Sequence, residues 1–156
     1  MISLDKKEDY ILKQMYEILI SNLFITYPDL EKDKHDNKEN CLKWINMIKS
    51  NNDYHVVVCE ENNKVIGYLN YMVIENKMWI CETQVKDKNK KILKKLITYY
   101  VKLKDVSTYD KVTIHINSNN ILSQKIFTHI GFKLINNTLY EISMKDLTKW
   151  CEKVNS

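Results

Sequence analysis

The chain has 156 residues, of which 44% are hydrophobic and 28% charged, with a formal net charge of +4. These values suit one soluble globular domain that buries about two-thirds of its unfolded surface. They exclude a membrane-spanning chain, since no 18-residue apolar run exists, and the start "MISLDKKEDY" lacks the apolar core of a signal peptide.

In chain order, "KKEDYILKQMYEILISNLF" predicts an amphipathic helix, with Ile11, Met15, Ile18 and Leu19 at helical spacing. The polar stretch "YPDLEKDKHDNKEN", opened by Pro28, reads as a loop. "NCLKWINMIKS" predicts a short second helix carrying Leu42, Ile45 and Ile48 on one side. "YHVVVCEENNKVIGYLNYMVIENKMWICETQV" predicts a three-stranded antiparallel meander with turns at Glu61–Asn63 and Glu75–Lys77. The lysine-rich stretch that follows runs into "KKILKKLITYYVKLKD", where apolar positions 92, 93, 96, 97, 100 and 101 form one helical stripe. Lys90, Lys91, Lys94 and Lys95 take the opposite face, as on any solvated surface helix. "KVTIHIN" predicts a strand alternating Val112, Ile114 and Ile116. "NNILSQKIFTHIGF" predicts a helix with Asn119 or Asn120 as N-cap and Gly131 just past its end. "GFKLINN" and "TLYEISM" predict a hairpin across an Asn-Asn turn, and "KDLTKWCEKV" a closing helix over 145–154. The order predicts one α/β (α+β mixed sheet) domain over residues 1–156, without repeats or an interior linker.

Cys41, Cys59, Cys81 and Cys151 are widely spaced, with no CxxC or CxxH pair, so no metal site is expected and a reducing cytoplasmic setting is. All 24 basic residues are lysine, and Lys, Asn and Ile abound in the manner of an AT-rich coding sequence. Lysine density is then partly coding bias, and a net charge of +4 gives weak support for a nucleic-acid partner. Arginine, the residue for bidentate guanine contacts, is absent, and no helix-turn-helix is evident.

Asn120, Ser123, Phe127, Gly131 and Phe132 fall at a spacing that resembles the C-terminal motif of the GNAT family of N-acetyltransferases. The element order matches that family along nearly the whole chain. The resemblance implies a central, mostly antiparallel sheet of about six or seven strands flanked by helices. It also implies acetyl-coenzyme A (acetyl-CoA) as donor and a primary amine of a small molecule or protein as acceptor, with direct attack in a ternary complex. In that family the fourth strand ends in Val and parts from the fifth, and the loop that follows presents backbone N–H groups to the pyrophosphate at a helix N-terminus. Val85 takes the strand-end place here, and Lys88, Asn89, Lys90, Lys91, Ile92 and Leu93 take the loop, with Lys88 for the family's Arg or Gln and Lys91 and Leu93 for its small residues. Gln84, Val85, Asn120, Ser123 and Phe127 join these as expected donor contacts.

Family members use a carboxylate on the fourth strand as base, often through water, and a motif-helix Tyr as acid. Glu82 lies three residues before Val85, which makes it the expected base; a Glu on the wet side of a strand explains the same residue without chemistry. Phe127 occupies the Tyr position and carries no proton, so the thiolate would take its proton from water. The oxyanion donor is expected from backbone N–H groups near 84–86. Tyr68, Tyr71 and Trp79 are candidates to line the acceptor pocket, and sheet packing explains them equally. His35, His55, His115 and His129 read as structural or exposed. Two other classes stay open: the same fold as a catalytically impaired ligand- or partner-binding protein, and a nucleic-acid binder using the lysines of 86–104. A homodimer is left open as well.

Overall fold

The computed structural model describes residues 1–153, and the side chains of 31–33 lie outside the described set. A short strand, β1 (Ile2–Leu4), precedes the first helix, α1 (Asp9–Thr26). A 3-10 turn over Pro28–Asp33 leads into α2 (Lys34–Ser50). Then come β2 (His55–Glu61), β3 (Lys64–Ile74), β4 (Lys77–Val85), a 3-10 turn over Lys86–Lys88 and α3 (Lys90–Val101). The rest is α4 (Lys104–Ser107), β5 (Lys111–His115), α5 (Ile121–Ile130), β6 (Lys133–Asn136), β7 (Leu139–Ser143) and α6 (Met144–Glu152). The seven strands hydrogen-bond in the order β1-β2-β3-β4-β5-β7-β6. The β4–β5 pair is parallel, and β1–β2, β5–β7 and β6–β7 are antiparallel, so the sheet is mixed as expected.

The chain divides into two compact units, Met1–Asn70 with Glu82–Leu96, and Tyr71–Cys81 with the residues from Ile97 onward. In the first, Ile11, Met15 and Ile18 of α1 and Cys41, Ile45 and Ile48 of α2 bury against Val56, Val58, Val65 and Tyr68. Asn62 and Asn63 at the β2–β3 turn hold left-handed φ angles of 53° and 64°. The turn can therefore reverse the chain in two residues with a twist that suits the strands. In the second unit, β5 pairs with β7 from Lys111↔Ser143 to His115↔Leu139, and the Val112, Ile114 and Ile142 side chains are buried. All six predicted apolar positions of α3 are buried.

Four expectations change. β1 was not predicted; three residues offer no period, and pairing with β2 is what makes them a strand. The stretch read as a loop after Pro28 is a 3-10 turn plus the first two turns of α2. Those turns are polar all round and exposed, so they leave no apolar stripe to find. Leu42 is 48% exposed and Cys41 takes its place, because 41, 45 and 48 keep the 3.6-residue period. The closing helix ends at Glu152, and Val154 of the predicted range lies outside the described residues.

Candidate active site

Glu82 and Gln84 lie two residues apart on β4, so their side chains leave the same face of the strand. The indole Nε1–H of Trp44, on α2, donates to Glu82 Oε1 at 2.9 Å. The Gln84 amide donates to Glu82 Oε2 at 3.3 Å. Asn22, on α1, spends both its amide hydrogens nearby, one on Gln84 Oε1 at 2.9 Å and one on the Val85 carbonyl at 3.2 Å. The Tyr68 hydroxyl sits close enough to bias the carboxyl, although its geometry stops short of a formed hydrogen bond. Glu82 keeps part of its surface open to solvent. Removal of its carboxyl from bulk water raises its pKa above the ordinary 4.5, while the Trp44 and Gln84 hydrogen bonds pull the other way. Burial also raises the Cys41 thiol and the Tyr68 phenol, which keeps both neutral beside it.

Past Val85 the chain turns sharply. Asp87 and Lys88 both take left-handed backbone angles, with φ of 57° and 52°. Asn89 then caps α3: its Oδ1 accepts from the amides of Lys91 at 3.0 Å and Ile92 at 3.4 Å. Its carbonyl accepts from Ile92 and Leu93, both at 3.2 Å. Lys88, Lys90 and Lys91 point outward, whereas the Ile92 and Leu93 side chains are buried. Of the two positions where the family carries small residues, Lys91 thus points outward and Leu93 packs into the core, with the Ile92 side chain buried between them. Gly67 of β3 makes room for it, since a Cβ there would stand 2.8 Å from Ile92 Cγ2. A groove of about 660 Å3 runs between α1 (Gln14, Ser21, Asn22) and Lys64, Lys86 and Lys88.

In the second unit, Asn120 Oδ1 accepts from the Ser123 amide at 3.1 Å and caps α5. At the other end Gly131, at φ 125°, donates to the Thr128 carbonyl, and Phe132 donates to the Phe127 carbonyl at 3.0 Å. That pair of bonds is a Schellman motif, and the Phe127 and Phe132 rings close it edge-on at 5.4 Å. The Gly-Phe pair of the sequence motif therefore has a mechanical role, which is to stop the helix and turn the chain into β6.

A family model described as an acetyltransferase (GNAT) domain matches residues 4–145. The chain belongs to the GNAT family of acetyltransferases. Solved members share its fold. The PaiA N-acetyltransferase of Thermoplasma acidophilum, solved in complex with coenzyme A, superposes with a TM-score of 0.71 at 20% identity, covering 92% of this chain and 99% of that one. An N-acetyltransferase from Staphylococcus aureus Mu50 gives 0.64 at 19% identity over 92% and 98%. The aminoglycoside 6'-N-acetyltransferase of Enterococcus faecium gives 0.64 at 10% over 92% and 97%. A search of curated protein sequences gave no match.

Within this GNAT fold the first unit brings together Glu82, Gln84 and Val85 at the end of β4, with Lys88 to Leu93 directly following. Asn120, Ser123 and Phe127 belong to the second unit, where Asn120 and the Ser123 amide form the cap and Phe127 packs. Tyr68 and Tyr71 are at most 1% exposed, so neither offers a surface to an acceptor. Among the described residues no group of three or more His, Cys, Asp or Glu could hold a metal, and no helix is long and apolar enough to cross a membrane. Sequence reading missed Trp44 and Asn22. A signal was present: Asn22 falls four residues after Ile18, and Trp44 four before Ile48, so both continue the buried stripe of their helix with a polar group.

Proposed function

We propose that this GNAT protein is a single-domain cytoplasmic N-acetyltransferase that moves an acetyl group from acetyl-CoA to a primary amine of a small molecule or protein, by direct attack in a ternary complex. The observation that carries this reading is the Glu82 carboxyl. It has neutral donors on both oxygens and a pKa raised above 4.5 by burial, on a residue that keeps part of its surface open. A base must hold a proton briefly and release it, and a carboxyl shifted upward toward the working pH does that better than an ordinary one. The coenzyme A complex of the PaiA N-acetyltransferase supports the donor, and the aminoglycoside enzyme supports an amine acceptor.

The donor supplies an activated thioester carbonyl. Glu82 takes one proton from the acceptor ammonium, directly or through water, and leaves a neutral amine. The amine nitrogen bonds to the acetyl carbon as the carbon–sulfur bond breaks. The second proton shed by the nitrogen passes through water to the departing sulfur, so no protein acid is required and Phe127 is tolerated. Glu82 then returns its proton to solvent, and the products are an amide, free coenzyme A and one proton. Gln84 and Val85 end the strand beside the reacting group.

The residues after Val85 fit a pyrophosphate. The start of α3 offers the Lys91 and Ile92 amides, which exchange the Asn89 oxygen for phosphate oxygen, and the outward Lys88, Lys90 and Lys91 add charge. Leu93 contributes by packing alone, out of the ligand's path. Asn120 and Ser123 are kept as donor contacts on the family motif alone.

Thermal melts with acetyl-CoA and coenzyme A, followed by thiol release over a panel of amines, test the reading. Ligand at about 100 times its dissociation constant adds about 2.7 kcal/mol, a clear rise in Tm. Stabilisation without turnover on any amine would turn the protein into a binding module. No stabilisation by either ligand would remove the donor.

A further inference from the structure

We infer that Trp44 and the Asn22–Gln84 pair are positioning residues that hold the Glu82 carboxylate in one orientation, leaving on each oxygen one acceptor site that neither tether fills. The inference rests on the reading of Glu82 as the base. Each carboxylate oxygen has two acceptor sites. Trp44 fills one on Oε1 and Gln84 fills one on Oε2, so the plane of the carboxylate is fixed from both sides.

Gln84 cannot choose its own orientation. Its Oε1 accepts from Asn22, so its Nε2 must face Glu82, and Asn22 is itself anchored by its second hydrogen to the Val85 carbonyl. The Trp44 ring is held in turn by edge-on packing on Tyr54, with centroids 5.3 Å apart at 80°. Both tethers start on helices, α1 and α2, and meet on one strand.

Among the described residues, no cation is one of the groups that bear on this carboxyl. Trp44 and Cys41 come from α2, Tyr68 from β3 and Gln84 from β4, and all are neutral. An arginine or lysine at either oxygen would lock the charged form and spoil the base; an indole N–H and an amide N–H orient it while leaving its proton affinity in range. That choice of donors gives the arrangement its function.

The test is to titrate Glu82 itself, by carbon-13 NMR of the side-chain carboxyl, in the wild type, in Trp44→Phe and in Asn22→Leu. Trp44→Phe keeps an aromatic ring, of smaller volume, and loses the donor; Asn22→Leu keeps the volume and frees Gln84. Loss of a donor to the charged form must strengthen proton binding, by about tenfold for Trp44→Phe and by less for Asn22→Leu, whose effect is indirect. In activity assays the acid limb of kcat/KM moves up by the same factors, and for Trp44→Phe the KM for acetyl-CoA is unchanged. Two folded variants in which Glu82 titrates as in the wild type would overturn the inference. The base reading has a separate fate: Glu82→Gln with undiminished turnover would end it, and the NMR titration would still decide whether Trp44 and Asn22 govern the carboxyl.

Discussion

Two glutamates in the first unit lie on strands of one sheet and are treated in opposite ways. Glu60, on β2, is 6% exposed and faces Lys6 across 2.9 Å, a charge met by a charge. Glu82, on β4, is more open and meets an indole and an amide. A carboxylate paired with a cation serves the fold, since removing the partner leaves a charge in a poor solvent. A carboxylate held by neutral donors has its direction fixed while its proton affinity stays adjustable. The difference separates a structural acid from a chemical one without reference to any substrate.

The largest expected effect breaks that contrast from the chemical side. Glu82→Gln keeps the shape and removes the base, so kcat/KM for amine acetylation should fall by about 100-fold or more, while Glu60→Gln should leave it near the wild-type value. The same variant has a second signature. Because the folded Glu82 pKa lies above 4.5, the folded protein binds the proton more tightly than the unfolded chain. Its contribution to stability is full below about pH 4.5 and is lost as pH rises through the folded pKa. The wild type should therefore lose stability against Glu82→Gln over that window, measured by urea unfolding at a series of pH values. A difference that is flat with pH would mean that the carboxyl is not shifted.

The next effect is structural. Lys6→Met leaves the Glu60 carboxylate without this partner at 6% exposure, and Tm should drop clearly while turnover per folded molecule holds. The double variant with Glu60→Gln should recover most of the loss. Smaller again is Gly67→Ala. The new Cβ would stand 2.8 Å from Ile92 Cγ2 and 3.2 Å from the Gln84 carbonyl, so it overpacks the contact between β3 and the start of α3 at about 1–3 kcal/mol. Because it presses on Gln84, it should also disturb the Glu82 titration, which a merely crowded core elsewhere would not do.

How much of this was legible depends on range. Elements with a period were readable: the stripe of α3, the two-residue turns around Asn62 and Glu75, and the cap and stop of α5 all follow from neighbours within a few positions. β1 was not, because its strand character comes from Val57, Val58 and Cys59, more than fifty residues away. The site divides in the same way. Glu82 could be picked out from its place before Val85, since both lie on one strand. The partners that give it its character lie 38 and 62 positions away, Trp44 from Glu82 and Asn22 from Gln84, and no local pattern pairs them. What a single sequence does show is a polar group on a buried stripe, which signals that a partner exists without saying which.

The smallest effect compares two helix starts with the same grammar. Asn89 caps α3 and Asn120 caps α5, each through its side-chain oxygen, and either change to Ala should cost about 1 kcal/mol of stability. Their response to ligand should differ. Asn89 occupies the Lys91 and Ile92 amides that the proposed pyrophosphate site requires, so in the wild type the ligand must displace that oxygen before it binds. Asn89→Ala leaves the Lys91 amide vacant and the Ile92 amide with only the backbone carbonyl of residue 89, and the helix end then has more to gain from an anion. The melting temperature without ligand should fall, yet the rise produced by coenzyme A should exceed that of the wild type. A rise equal to or smaller than the wild-type value would take these two amides out of the donor site, and with them the assignment of the lysine-rich turn to phosphate.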